Sequence, residues 1–288
     1  MTEALPPALH EKLETLLATL AGYGRVAVAF SAGVDSTVVA RAAQQACGDD
    51  AVAVTAVSPS LASGEREQAE QLALQIGIRH VVIETDEFDN PDYLKNEPNR
   101  CYFCKTELYT RLGHILPQLD VDVIANGANV DDQGDFRPGH RAAEEHRVLS
   151  PLLEAGLSKQ EIRTLSRAAG LPCWNLPASA CLASRLPYGT EVTPERLEQV
   201  DVGEGRLREL GLRQVRLRHH GEIARVEIHP GELANGLSPE LMQRIVEAIK
   251  PLGFKWVCVD LEGYRLGSLN EVLVDLGAPV ASLEEDSV

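Results

Sequence analysis

No stretch of this sequence approaches the ~20 consecutive apolar residues that a membrane-crossing helix requires, and Met1–His10 holds no basic segment followed by an apolar one. Both absences point to a cytoplasmic location. Positive charge is also scarce: 27 Lys and Arg face 43 Asp and Glu, and the net charge of −16 is spread along the chain rather than gathered in one tail. A broad nucleic-acid-binding face needs a basic stripe to displace counterions from phosphates, so neither nucleic acid nor membrane is expected among the partners. There is no long internal repeat, and no low-complexity segment beyond the short acidic run Glu284–Asp286. Six cysteines in 288 residues of this type do not make a disulfide framework, which leaves metal, cluster or catalytic duty for some of them.

What remains is the balance of an ordinary globular protein, 44% apolar and 24% charged, in a length that suits two domains. Leucines at helical spacing over Leu9–Leu20 predict a helix, stopped by Ala21–Gly24 before a β-branched strand at Arg25–Phe30. The alternation continues with a helix to Ala46, a strand at Ala51–Val57, a helix at Gly64–Ile76 and a strand at His80–Glu84. A helix following Cys101 to about Leu112, a fourth strand at Val121–Ala125 and helices over 138–146 and 158–169 complete the first half. Apolar strands alternating with helices predict an α/β fold: a parallel sheet covered on both faces, with the last two helices on its far side. The pattern changes after Thr193, where a charged helix to Leu210, strands at Gln214–Arg218 and Ala224–His229, a helix at Pro239–Ile249 and a strand at Phe254–Asp260 describe a smaller α+β domain. The expected division is 1–180 and 181–288.

Phe30-Ser-Ala-Gly-Val-Asp-Ser36 joins the first strand to a helix, where backbone N–H groups and the positive helix end favour phosphate. No lysine precedes Ser36, so this is not the loop of γ-phosphate transfer. It resembles the PP-loop, SGGxDS, which implies cleavage of ATP between its α and β phosphates. The resemblance implies that Ser31, Gly33 and Ser36 hold the pyrophosphate and that Asp35 helps arrange Mg2+ and phosphate. Ala32 stands where the family has its first glycine, and alanine suits the position only with a negative φ. The segment reads otherwise as a plain strand-to-helix turn with Ser36 or Asp35 as N-cap.

Cys101-Tyr-Phe-Cys104 lies at the start of a helix, so both sulfurs face one point and their thiolates are favoured. Cys181 neighbours Arg185, whose charge favours a thiolate. Three thiolates suit a 4Fe–4S cluster with one open iron; zinc with Cys173 as fourth ligand, or a redox pair at Cys101 and Cys104 beside a separate catalytic Cys181, are the competing readings. Cys47 and Cys258 fall in apolar segments and are expected in the core. Asn126, Asp131 and Asp132 follow the fourth strand, where α/β sheets bind ligands, and Asp135, Arg137 and Arg141 extend that polar stretch, which reads equally as a solvated, capped loop. Arg216 and Arg218 share one strand face and suit a phosphate, although an ordinary exposed strand face accounts for them as well. His219 and His220 have no zinc-site spacing and are assigned nothing.

Ser31–Ser36, Asn99–Lys105, Asp135–Gly139, Pro177–Tyr188 and Gly263-Tyr-Arg265 together resemble the LarE family, the pyridinium-3,5-biscarboxylic acid mononucleotide sulfurtransferases of nickel-pincer cofactor synthesis. The resemblance implies that ATP adenylates a carboxylate of the pyridinium nucleotide and that sulfur then displaces AMP to give a thiocarboxylate. It places Cys181 at the family's reactive cysteine, which in some members gives up its sulfur and becomes dehydroalanine. In members that also carry the CxxC, Cys101, Cys104 and Cys181 hold a 4Fe–4S cluster able to carry an extra sulfide, and that route is favoured here. Arg216 and Arg218 match positions used for the substrate phosphate, with Ser184 and Arg185 lining the same pocket. A homo-oligomer, a hexamer contacting through the second domain, and an outside sulfur donor are further implications. A PP-loop tRNA thiolase would need a basic surface, an amide-forming ligase would need no cysteine set, and a nucleotide sensor would bind ATP without releasing pyrophosphate.

Overall fold

A computed structural model describes residues 5–133, 138–176, 180–265 and Ser268. In chain order it contains α1 (Pro7–Tyr23), β1 (Val26–Ala29), α2 (Val34–Cys47), β2 (Ala51–Val57), α3 (Glu65–Ile76), β3 (Arg79–Glu84), α4 (Pro91–Leu94), α5 (Arg100–Leu119) and β4 (Val123–Ala125). There follow α6 (Pro138–Glu145), α7 (Pro151–Glu154), α8 (Lys159–Ala168), α9 (Pro194–Glu209), β5 (Val215–His220), β6 (Ile223–Ile228), α10 (Pro230–Gly236), α11 (Pro239–Ile249) and β7 (Trp256–Val259). The chain forms two compact units.

The first unit is Met1–Ser58, Ser63–Asp89 and Cys101–Ser179. Its sheet has the order β3-β2-β1-β4 with every pairing parallel, β1 lying between β2 and β4. Such a central strand is buried on both sides, which is why its sequence is continuously apolar. Val26 and Val28 enter one core with Leu16 and Leu20 of α1, Val39 of α2 and Ile162 of α8. Ala27 points the other way, into a core with Leu112 of α5 and Ala142 of α6. The two helices expected together on the far side thus lie on opposite faces, α6 beside α5 and α8 beside α2. α5 outruns its expected end at Leu112, because Ile115, Leu116 and Leu119 continue the stripe that packs on the sheet.

The second unit is Pro59–Ala62, Asn90–Arg100 and Ala180–Val288. Two short segments that sequence order assigns to the first half therefore belong with it. The reason is hydrogen bonding: Leu182 N–H donates to Ser60 O at 3.0 Å, Val192 N–H to Leu94 O at 2.8 Å and Gly189 N–H to Asn96 O at 3.0 Å. Its three-stranded sheet has the order β5-β6-β7, with β5 and β6 antiparallel and β6 and β7 parallel. Leu217, Val226 and Ile228 form the core with Leu207 of α9 and Ile245 of α11. α9 approaches β5 so closely at Gly203 that an added Cβ would lie 2.3 Å from Leu217 Cδ2.

Candidate functional site

The turn from β1 to α2 sits at the carboxyl end of the parallel sheet. Phe30 N–H still donates to Val54 O at 2.9 Å, and Thr55 Oγ1 donates to Phe30 O at 2.9 Å, which fixes where the chain leaves the strand. α2 then opens on an extended Gly33 without any side-chain cap. The alternative in which Ser36 or Asp35 serves as N-cap is thereby corrected. Ser36 instead turns its hydroxyl inward, donating to Gly33 O and accepting from Ser31 N–H, both at 3.2 Å, with Ser31 Oγ also 3.2 Å away. The result is a small loop lined by two hydroxyls and the first amides of a helix, the arrangement that receives phosphate oxygens.

Ala32 has φ of +58°, not the negative value expected of alanine there. The loop needs a left-handed residue to bring Ser31 back over the helix end, and a single methyl is the smallest side chain that bears the conformation at some strain. The chain from β4 presses on the loop from the side. A Cβ at Gly127 would lie 2.9 Å from Ser36 N, so only glycine fits between Asn126 and Ala128.

Asp35, in the first turn of α2, is bonded by Lys159 Nζ at 2.5 Å and by Asn129 Nδ2 at 3.4 Å. Lys159 is the residue that sequence reasoning missed. It opens α8 immediately after the capping box of Ser158 and Glu161, and its own N–H donates to Asp131 Oδ2 at 2.5 Å. A cation is thus brought to the loop from 124 residues away, where no lysine precedes Ser36. Asn126, Asp131 and Asp132 build the neighbouring loop. Asn126 Oδ1 accepts from Ala128 N–H and Ser150 Oγ, both at 3.0 Å, and Asp132 Oδ2 accepts from Asn129 N–H at 3.0 Å. Asp135 and Arg137 lie outside the described residues. Arg141 is bound to Glu145 at 2.8 Å and lies over the Tyr102 ring, 5.0 Å from its centroid.

Cys101 and Cys104 fall one turn apart at the start of α5, the first exposed and the second half-buried. Cys181, in the second unit, is exposed just before a 3₁₀ turn at Leu182–Arg185. All six cysteines lie among the described residues, and none is in a disulfide. Cys173 is fully buried in the first core with its sulfur 3.6 Å from Ser166 Oγ, which removes it as a fourth zinc ligand. Cys47 is half-buried, and burial followed by the charge of Asp50 pushes its thiol up. Cys258 is exposed on β7, not in the core, because it alternates with Val257 and Val259, whose side chains take the core face. Among the described residues no group of three or more His, Cys, Asp or Glu is placed to hold a metal ion.

In the second unit Arg185 is 2% exposed and forms a bidentate pair with Glu204 at 2.8 and 3.0 Å. Its remaining nitrogen donates to Ser184 Oγ at 3.0 Å and to the carbonyls of Ala180 and Cys181 at 2.5 and 3.1 Å. Arg185 therefore holds the backbone around Cys181, with its charge met by Glu204. Arg216 and Arg218 do not form an exposed strand face: they are 8% and 6% exposed. Arg218 donates to Glu227 Oε2 at 2.6 Å and to Ser184 O at 3.0 Å. Arg216 lies 4.0 Å from Glu204 and over the ring of Tyr264. Burial, then the charge of Arg185, lowers the Arg216 pKa from its ordinary value. For Glu204 burial is the largest single influence and raises the pKa, but the hydrogen bonds and charge of Arg185, with Arg216 and the Leu217 N–H, outweigh it and hold the carboxyl low. Glu204 and Glu227, 1% and 0% exposed, were not legible in sequence, since one sits in a charged helix and the other between a valine and an isoleucine.

No family model matches the chain. It is 44% identical to an uncharacterized protein of Synechocystis sp. over 92% of this chain and 99% of that one. It is 36% identical to the pyridinium-3,5-bisthiocarboxylic acid mononucleotide synthase of Lactiplantibacillus plantarum, over 92% of this chain and 96% of that enzyme. The chain belongs to the LarE family. As a LarE protein it is an ATP-dependent sulfurtransferase, and its first unit has the α/β architecture of the PP-loop class. Over half its length this LarE chain is also 30% identical to a chain of the glutamine-hydrolyzing GMP synthase of Methanocaldococcus jannaschii, again over 50% of that protein. No helix among the described residues is long and apolar enough to cross a membrane.

Proposed function

We propose that this enzyme adenylates the carboxylates of pyridinium-3,5-biscarboxylic acid mononucleotide and converts them to thiocarboxylates for nickel-pincer nucleotide synthesis, working in the cytoplasm. The observation that carries this reading is the 36% identity over nearly the whole chain to a synthase named for the bisthiocarboxylic product. In the first step a substrate carboxylate oxygen attacks the α-phosphorus of ATP and pyrophosphate leaves. Ser31, Ser36, the Gly33 backbone and the uncapped start of α2 receive the leaving pyrophosphate, and Lys159 Nζ meets the charge that develops on it. Asp35, bonded by Lys159 beside the loop, would hold Mg2+, which would supply charge neutralisation on the phosphates, and Asn126 keeps the β4 loop in register with them.

In the second step a sulfur nucleophile attacks the acyl carbon, the bond to the AMP oxygen breaks and AMP departs. The substrate phosphate is held by Arg216 and Arg218, with Ser184 and Arg185 lining the same pocket. Arg216 and Arg218 lie side by side on β5 among the buried carboxylates Glu204 and Glu227, which also pair with Arg208 and Arg225, and this concentration of guanidiniums suits an anionic phosphate. Cys101, Cys104 and Cys181 handle sulfur. Their chemistry suits a 4Fe–4S cluster, with three thiols outside disulfides and two of them on one helical turn. Bound there, the cluster would supply an open iron able to carry sulfide from an outside donor. The exposure of Cys181 on a segment of its own, ahead of a 3₁₀ turn, favours a second reading, in which Cys181 itself donates its sulfur and is left as dehydroalanine. The second unit is taken as the substrate-binding and oligomerisation domain of a homo-oligomer, a hexamer.

Anaerobic purification tests both readings. Bound iron and sulfide, lost on changing Cys101, Cys104 or Cys181 and accompanied by an unchanged polypeptide mass after turnover, is the expected outcome. A metal-free protein that loses one hydrogen sulfide at Cys181 would establish the sacrificial route. Sulfur transfer that survives Cys181→Ala would overturn the role of that cysteine in either.

A further inference from the structure

The segment that presents Cys181 is held by its carbonyls. Arg185 takes the carbonyls of Ala180 and Cys181 and Arg218 takes that of Ser184. Two further side chains complete the set, and neither has a place in the chemistry above. Arg100, 6% exposed, donates from Nη1 to Ala183 O at 2.9 Å and to Asn96 Oδ1. Asn96, fully buried, donates from Nδ2 to Pro187 O at 2.8 Å and to Leu186 O at 3.3 Å. Six carbonyls between 180 and 187 thus end on buried side-chain donors.

Asn96 adopts φ of +54°, a conformation that asparagine bears better than most residues. A strained backbone and a buried guanidinium are retained at adjacent turns only where the surroundings fix them. What they fix is the stretch immediately after Cys181. A buried arginine directed at main-chain carbonyls removes the segment's freedom to move without touching the thiol.

We infer that Arg100 and Asn96 are positioning residues for sulfur transfer: they immobilise residues 183–187 and so set the direction and accessibility of the Cys181 thiol. This inference rests on the reading of Cys181 as the sulfur-handling cysteine. Misplacing a reacting group by about 1 Å lowers rates on the order of 100-fold. Removal of the clamp has that effect on sulfur transfer, whereas adenylation, carried by the loop at Ser31–Ser36, is little changed.

The test uses the full-length enzyme with Arg100→Met, Arg100→Lys and Asn96→Gly, the last keeping the positive φ while deleting every side-chain contact. Three quantities are read: sulfur transfer, substrate-dependent exchange of labelled pyrophosphate into ATP, and, on the full-length protein after any iron has been removed with a chelator, the rate of Cys181 alkylation by a neutral thiol reagent at one fixed pH, followed by peptide mass spectrometry. Arg100→Met and Asn96→Gly are expected to lose on the order of 100-fold in transfer, to keep pyrophosphate exchange within about threefold, and to change the Cys181 alkylation rate. Arg100→Lys, which retains one charged donor, is expected to recover most of the loss. Transfer and alkylation that both match the parent enzyme overturn the inference, as does a parallel fall in transfer and exchange with alkylation unchanged. If Arg100→Met does not fold, the other two variants decide by the same criteria. Alkylation of the iron-free protein does not depend on what Cys181 does in turnover, so a failure of the sulfur-transfer reading, seen as activity in Cys181→Ala, is distinguishable from a failure of the clamp.

Discussion

At the scale of single residues, two side chains set the phosphate loop, Ala32 within it and Lys159 from outside it. Ala32 carries a methyl in the left-handed region while only 2% exposed. Relief of that strain, about 1 kcal/mol, is nearly cancelled by the greater freedom glycine gains in the unfolded chain, about 0.5–1 kcal/mol. Ala32→Gly is therefore expected to shift the denaturant midpoint little and to keep pyrophosphate exchange. Ala32→Val adds branching and overpacking of about 1–3 kcal/mol, so a clear fall in midpoint should separate the two. The ion pair of Lys159 with Asp35 is 35% and 24% exposed, so the pair stabilises the fold by under about 1 kcal/mol. Lys159→Met should leave the melting temperature almost unchanged yet reduce pyrophosphate exchange on the order of 100-fold, the effect of losing one donor to developing charge. A lysine with only a structural role would show the reverse.

At the scale of elements, the loop after β4 and the buried pair between the 3₁₀ turn and α9 each make a separable prediction. Gly127 leaves no room for a methyl beside Ser36 N, which belongs to backbone and does not yield easily. Gly127→Ala should thus displace the phosphate loop and cut pyrophosphate exchange at least tenfold while circular dichroism stays as in the parent. Glu204 is paired with Arg185 out of water, and removing one partner of such a pair costs about 3–5 kcal/mol. Glu204→Gln is expected to lose that much at neutral pH. The sign with pH follows from the lowered carboxyl: its contribution is complete above the unfolded value of about 4.3 and is lost as pH falls through the lower folded value. The parent's stability should therefore fall in that acid window, and the Glu204→Gln protein should show a shallower slope there.

Over the whole molecule, one buried and two half-buried histidines bring in acid sensitivity at milder pH. His80, His219 and His220 are all lowered, in each case first by burial. Their neutral forms are favoured on folding, so the unfolded chain binds more protons and stability declines as pH drops below about 6.5. Urea midpoints at pH 7.5 and 5.5 should differ, the latter lower; equal midpoints would show that these rings titrate normally. The alternation of strands and helices, the parallel sheet and the serine-lined loop were legible in the sequence alone, because periodicity and turn residues act between near neighbours. So was membership of a sulfur-transferring family, carried by short motifs in a fixed order. The tertiary structure alone decided that Lys159 reaches Asp35, that Glu204 and Glu227 draw Arg216 and Arg218 out of solvent, and that Asn96 and Arg100 belong with the Cys181 segment. Each is a pairing of charge or hydrogen-bond donor across a fold, and a polar residue's neighbours in sequence do not reveal whether its partner in space will bury it.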